Sequence, residues 1–300
     1  MISHNRLHLA LVIALGFLIA ASGCGSSDGD GGNGGDGGGG GTGGGGGETL
    51  RILVTNDDGI ESGGIDALVE GLRVNPDNEV IVSAPAINRT SSGDMMTPTP
   101  PPLQAIETTT ASGYPAFAVD GFPADAVIYA LENLYTDQPP HVVLSGINDT
   151  QNLGDVDVGV PIRLQVDISG TIGAAKTAAC LGIPALASSQ GDGEVIDFPS
   201  GVVEVLEWLE ENRAALLAGE VSVDTITNLN IPSCQSGEIR GQLDVPLATE
   251  NPNEWDLVNG SQDCESTVTN PPNDIEAFFN GYVTFSDVPR NKTGTCDMLE

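Results

Sequence analysis

R-I-L-V-T-N-D-D-G-I-E-S-G-G-I-D-A-L-V-E-G-L-R, from Arg51 to Arg73, reads as a strand, an acidic turn and a helix in succession. Arg51 to Thr55 is a short, β-branched apolar run of the length expected for a strand buried on both faces, and Ile65, Leu68, Val69 and Leu72 then recur at helical spacing. Asp57 and Asp58 fall between the two elements. In an α/β sheet the loop leaving the carboxyl end of a strand is where ligands collect, so this pair faces the expected crevice. Asn56, Asp57 and Gly59 also suit an ordinary turn, and the pair gains meaning only from the rest of the chain.

Working outward, Glu79 to Ala84 is the next strand, and Pro85 to Pro102 a polar, proline-rich loop. Phe117 to Asp120 reads as a short strand. Gly121-Phe122-Pro123-Ala124-Asp125 then opens a helix to about Tyr135, with proline in its first turn and Ala126, Val127, Ala130, Leu131 and Leu134 on one face. His141 to Leu144 is a strand with Ser145-Gly146-Ile147-Asn148 at its carboxyl end, and a long loop runs on to Ile168. Ser169-Gly170-Thr171 starts a small-residue helix ending near Gly182. Ile183 to Ala187 is a strand, Val202 to Leu217 an amphipathic helix and Thr225 to Ile231 a last strand. This alternation implies an α/β fold, a mostly parallel sheet with helices on both faces, spanning residues 48–232. Residues 233–300 read as a C-terminal, β-rich extension of the same domain, peripheral and antiparallel, with one strand at Gly281 to Phe285.

Ahead of the domain, residues 1–23 carry His4, Arg6 and His8, an apolar run from Leu9 to Ala21, and small residues before Cys24. This is a secretory signal, either of lipoprotein type with Cys24 acylated or a plain cleaved one, and the run is short for a membrane span. Residues 24–47 are mostly glycine, with a few Ser, Asp, Asn and Thr, and read as a flexible tether. The expectation is an exported protein, periplasmic or at the cell surface, lipid-anchored through Cys24. A net charge of −32, from 10 basic and 42 acidic side chains, repels a nucleic-acid duplex or an anionic membrane surface. An anionic substrate then requires a metal ion or helix N-termini to supply positive charge. Cys234, Cys264 and Cys296 are the candidates for disulfides, with Cys180 read as a small buried side chain.

Three segments place oxygen-bearing side chains just past parallel strands: Asp57 and Asp58, Asn88-Arg89-Thr90-Ser91, and Asn148. These are hard ligands that suit Mg²⁺, Mn²⁺ or Ca²⁺. Ser169-Gly170-Thr171 at a helix start suits phosphate, and equally an ordinary cap. Metal and anion sites on one crevice together suit hydrolysis of a phosphate ester.

These motifs resemble the survival protein SurE family of metal-dependent 5′/3′-nucleotidases and acid phosphatases. The resemblance rests on R-I-L-V-T-N-D-D-G-I at Arg51 to Ile60, Val82 to Pro85 with Arg89, G-F-P-A-D at Gly121 to Asp125, and S-G-I-N at Ser145 to Asn148. N-L-G at Asn152 to Gly154, S-G-T-I-G-A-A at Ser169 to Ala175 and N-L-N-I-P at Asn228 to Pro232 follow in order, and it returns at Gly281-Tyr282-Val283. It implies a Rossmann-like domain whose C-terminal extension helps dimers or tetramers form. It also implies a divalent metal held by Asp57, Asp58, Thr90 and Asn148, with the two aspartates catalytic and Asn56, Ser91, Ser169, Gly170 and Thr171 near the phosphate. The implied substrates are nucleoside 5′- or 3′-monophosphates. A base-indifferent acid phosphatase and a tethered nucleotide- or metal-binding protein without turnover are the alternatives.

The chain departs from the family pattern in five respects. Thr90 stands where serine is usual, with Ser91 a neighbouring alternative, and Ala86 stands where aspartate is usual. Asp155 to Gln165 is extra. Ile168 replaces an aromatic or histidine before S-G-T, leaving Asp155, Asp157 or Asp167 to supply a proton donor if one exists. Basic residues of the family's C-terminal arm are not evident.

Overall fold

The computed structural model describes residues 48–98, 101–157, 163–251 and 253–299. The expected signal segment, Cys24 and the glycine tether lie outside the described residues. The chain runs β1 (Leu50–Thr55), α1 (Gly63–Leu72), β2 (Asn78–Pro85), β3 (Ala105–Thr109), β4 (Pro115–Val119), α2 (Pro123–Asn133) and β5 (Val142–Asn148). Then come β6 (Asp155–Asp157), β7 (Arg163–Gln165), α3 (Gly170–Cys180), β8 (Ala185–Gln190), α4 (Phe198–Ala218), β9 (Thr225–Ile231), β10 (Gln242–Asp244), α5 (Asp274–Phe279) and β11 (Val283–Pro289).

Nine strands form one sheet in the order β10-β11-β9-β8-β5-β1-β2-β4-β3. From β9 to β4 every neighbouring pair is parallel, while β3 and β11 run antiparallel to β4 and β9. Alternation along β1 shows why the sheet is covered twice. Leu50, Ile52 and Val54 join the core under α1 and α4, and Leu53 joins the core under α2 and α3. Ala174, Ala175, Ala178 and Ala179 give α3 its buried face, and their small size lets it lie close on the sheet.

Several expectations are corrected. The polar loop after β2 leads into an edge strand, β3, whose side chains are mostly exposed and whose hydrogen bonds go only to β4, so no burial pattern marks it in sequence. β5 continues through Ser145-Gly146-Ile147-Asn148, with an irregularity in its pairing to β8, so S-G-I-N lies in the strand and not beyond it. The expected long loop contains the hairpin of β6 and β7. The extension is not peripheral: β11 enters the main sheet beside β9, and Val283 and Phe285 share a core with Leu229 and Ile231.

The cysteines also pair differently, as Cys180–Cys296 and Cys234–Cys264. Cys180 sits at the end of α3, where the C-terminal segment crosses it, a long-range contact that local spacing does not encode. The bridges span 116 and 30 residues, and in the chain-entropy account each contributes about 3 to 5 kcal/mol. Reduction is expected to lower the thermal midpoint by about 10 °C or more, and Cys180→Ser to reproduce about half of that, both read by calorimetry with and without a phosphine reductant.

Candidate active site

The carboxyl ends of β1 and β5 lie side by side, with Thr55 opposite Ser145. Asn56 makes the turn after β1: its amide donates to Gly59 O and Ser62 Oγ, and its Oδ1 accepts from Gly59 N–H. Both ends of that side chain are thus spent in the loop that aims Asp57 and Asp58.

Asp57 is 2 % exposed, and its Oδ1 accepts from Thr171 Oγ1 at 2.6 Å. Burial pushes its carboxyl above the usual range, opposed by hydrogen bonds from the Thr171 side chain and backbone. The start of α3 therefore orients Asp57, a favourable place for a carboxylate at the positive end of a helix. Ser169 caps the same helix by accepting from Ile172 N–H. Of the segment expected to face phosphate, Ser169 and Thr171 thus have structural partners, and Gly170 supplies closeness. A methyl group on Gly170 would stand 2.5 Å from Ser92 Oγ and 3.0 Å from Asp57 Oδ2.

Asp58 accepts from Asp149 N–H at 3.3 Å through Oδ2, while Oδ1 is buried without a partner. Burial first, then the charges of Asp57 and Asp149, push it up to about 8. Asn148 donates to Thr150 O, and its Oδ1 is likewise buried and unpartnered.

Arg89 N–H donates to Asp57 O, which brings the Thr90 segment against the pair, and one more hydroxyl of that loop, Ser92, packs at the start of α3. Thr90 and Ser91 are exposed on the loop, whereas Ser92 is buried with its Oγ unpartnered. Positive φ at Ser91 and Gly93 curls the backbone inward between them. Three consecutive hydroxyls in N-R-T-S-S-G hide this; the glycine after Ser92 was the available signal. Asp155 and Asp167 are both within ion-pair distance of Lys292 Nζ, at 2.8 and 2.9 Å, which leaves them poor candidates for a proton donor. A groove of about 750 Å³ lined by α2 together with Met96, Thr97, Pro98, Pro102 and Leu103 includes neither Asp57 nor Asp58.

The loop after β5 is held by amides. Asn152 O accepts from Asn228 and Asn230, its N–H donates to Asn230 Oδ1, and its side chain donates to Ser189 Oγ. Asp274, from the extension, accepts from Gly154 and Ala248 N–H.

Among the described residues no group of three or more His, Cys, Asp or Glu is arranged for a metal. The donors here are of another composition: two carboxylates, a hydroxyl and an amide. Unpartnered Asp58 Oδ1 and Asn148 Oδ1 would each cost about 1 to 3 kcal/mol. A hard divalent cation answers that need and neutralises adjacent buried carboxylates, so the residues fit one. Without a cation, native Asp58 holds its proton up to about pH 8, while an unfolded aspartate releases it above 3.8. The native state then binds more protons between those values, so this contribution to stability is present at low pH and is lost as pH rises toward 8. In excess chelator, Asp58→Asn is expected to raise the thermal midpoint at pH 8 and to lose that advantage as pH falls toward 4, measured as a melting series.

A profile of the family described as "Survival protein SurE" matches residues 52–254. Among curated proteins, "5'-nucleotidase SurE" of Dehalococcoides mccartyi is 33% identical over 249 residues, 79% of this chain and 88% of that protein. The protein of the same name from Methanothermobacter thermautotrophicus is 39% identical over 210 residues, 64% of this chain and 71% of its own. Among solved structures, the crystal structure of the SurE protein from Aquifex aeolicus superimposes with a TM-score of 0.63 at 27% identity, covering 83% of this chain and 97% of that one.

Proposed function

The chain belongs to the survival protein SurE family, and from that premise we propose that it is a divalent-metal-dependent phosphomonoesterase releasing phosphate from nucleoside monophosphates. The observation that carries this reading is the adjacent Asp57 and Asp58, one buried and one half-buried, beside the end of β5, where Asn148 Oδ1, like Asp58 Oδ1, is buried without a partner. Asp57, Asp58, Thr90 and Asn148 would hold the ion, with Ser92 buried on the same loop as Thr90. Mg²⁺ or Mn²⁺ suits a site of few carboxylates that leaves room for substrate oxygens. When bound, such an ion supplies Lewis acidity to a phosphoryl oxygen and acidifies a water.

The chain's own residues do the rest. Thr171 fixes Asp57 through two hydrogen bonds, so its carboxylate needs no reorientation. The Asp149 backbone holds one oxygen of Asp58 and leaves the other toward the site. The asparagines of β9 fix the loop that follows Asn148. At a net charge of −32, neutralising the carboxylate pair is a condition for a phosphate to approach.

The test is phosphate release by the purified protein from nucleoside 5′- and 3′-monophosphates and from an aryl phosphate, with Mg²⁺, Mn²⁺ or chelator. Chelation is expected to abolish release from every substrate. Full activity in excess chelator would overturn the reading, and equal rates on the aryl phosphate would turn it toward a base-indifferent phosphatase. We also read the protein as exported; the apolar run before Cys24 and two disulfides among the described residues support this.

A further inference from the structure

Positions 170, 173, 176 and 180 lie along one face of α3, and they are Gly, Gly, Lys and Cys. The two glycines allow Ser92, Gly93 and Asp94 to lie directly on the helix. A methyl at Gly170 would press on Ser92 Oγ, and one at Gly173 would overlap the Gly93 carbonyl and stand 3.2 Å from Asp94 Oδ1. Gly93 N–H also donates to Ile168 O, fixing the loop at the helix start.

Lys176, next in the row, is wholly buried, and its Nζ reaches Asp94 Oδ2 at 2.8 Å and Thr293 Oγ1 at 2.6 Å. Thr293 and Thr295 both donate to that same Asp94 oxygen. Cys180, last in the row, is bonded to Cys296. The segment 292–296 thus straps the end of α3 to the loop that carries Ser92. Lys292 extends the strap to Asp155 and Asp167, and it and Lys176 are the only lysines in the chain.

A buried ion pair contributes little net stability over an apolar pair of the same volume, while fixed geometry is one thing it does provide. We propose that Lys176 is a positioning residue of the cation site: through Asp94 and the strap it fixes the loop of residues 88–94 against α3, holding the Thr90 segment at Asp57, whose carbonyl accepts from Arg89 N–H. This rests on the reading of Asp57, Asp58, Thr90 and Asn148 as cation ligands.

The sign of one effect separates positioning from charge. Lys176 carries a positive charge near the site, so if only its field mattered, Lys176→Met would tighten cation binding. Positioning requires the opposite, a loss of about 10- to 100-fold, the range found when partners supporting a metal ligand are removed. Thr295→Val changes no charge and is expected to weaken binding in the same direction. The experiment is Mn²⁺ titration calorimetry on the full chain and on both variants at 25 °C, with near-ultraviolet circular dichroism and thermal midpoints as checks of fold. If Lys176→Met does not fold, Thr295→Val carries the test. Wild-type protein that binds Mn²⁺ beside folded variants binding as tightly or more tightly overturns the positioning role and leaves the proposed function standing. Wild-type protein that binds no Mn²⁺ overturns both.

Discussion

Asp58→Asn is expected to lower kcat/KM for nucleoside monophosphates by at least about a thousandfold, about 4 kcal/mol of transition-state stabilisation, and to leave the protein folded. The amide has the shape of the carboxylate, and its oxygen can still accept from Asp149 N–H. What is lost is the negative charge and a strong ligand at an oxygen that has no protein partner. Because metal-free Asp58 is pushed up to about 8 by burial and by its acidic neighbours, the substitution removes an electrostatic burden as well. Phosphate release and Mn²⁺ titration on the same preparation check it. A variant that has lost the cation, keeps its fold and still turns over would detach these carboxylates from the chemistry.

Gly170→Ala is the second large effect: about a hundredfold loss of activity, the scale of a misplacement of about 1 Å in reacting groups. Alanine is the better helix former by about 1 kcal/mol, so α3 itself is not weakened. The added methyl group instead meets Ser92 Oγ at 2.5 Å and Asp57 Cβ at 2.8 Å, forcing the hydroxyl and the carboxylate apart. Weaker Mn²⁺ binding with an unchanged far-ultraviolet spectrum is the expected signature. Wild-type affinity in this variant would mean that the packing of this loop on α3 does not set the geometry of the cation ligands.

Where burial is two-sided and local, the sequence announced the structure. β1, β2 and β9 form where β-branched runs are bounded by turn residues, and α1, α2 and α4 where apolar residues keep a helical period. Asp57, Asp58 and Asn148 stood out because each falls at a strand end or in a recognisable motif, and the fold brings those strand ends side by side. What stayed hidden depends on contacts made across the chain. β3 is an edge strand with exposed side chains, β11 reveals its place only once β9 offers a partner, and Cys180 meets Cys296 only because the tail crosses α3. The burial of Ser92 was hidden among neighbouring hydroxyls because left-handed backbone at Ser91 and Gly93, not residue type, selects which of them turns inward. Thr171 and Ser169 read as anion donors, yet the fold spends them on Asp57 and on the cap of α3.

The strap also imposes an order of events on the ribosome. Thr293 and Thr295 lie 199 and 201 residues after the Asp94 carboxylate they bind, so they emerge roughly 10 to 40 seconds later at ordinary translation rates. Until then the Lys176 ammonium lacks the threonine that completes its contacts, and Cys180 has no partner thiol. A nascent chain halted before Lys292 could therefore assemble most of its sheet and still lack the latch on Ser92, so this enzyme is finished from its last residues backward.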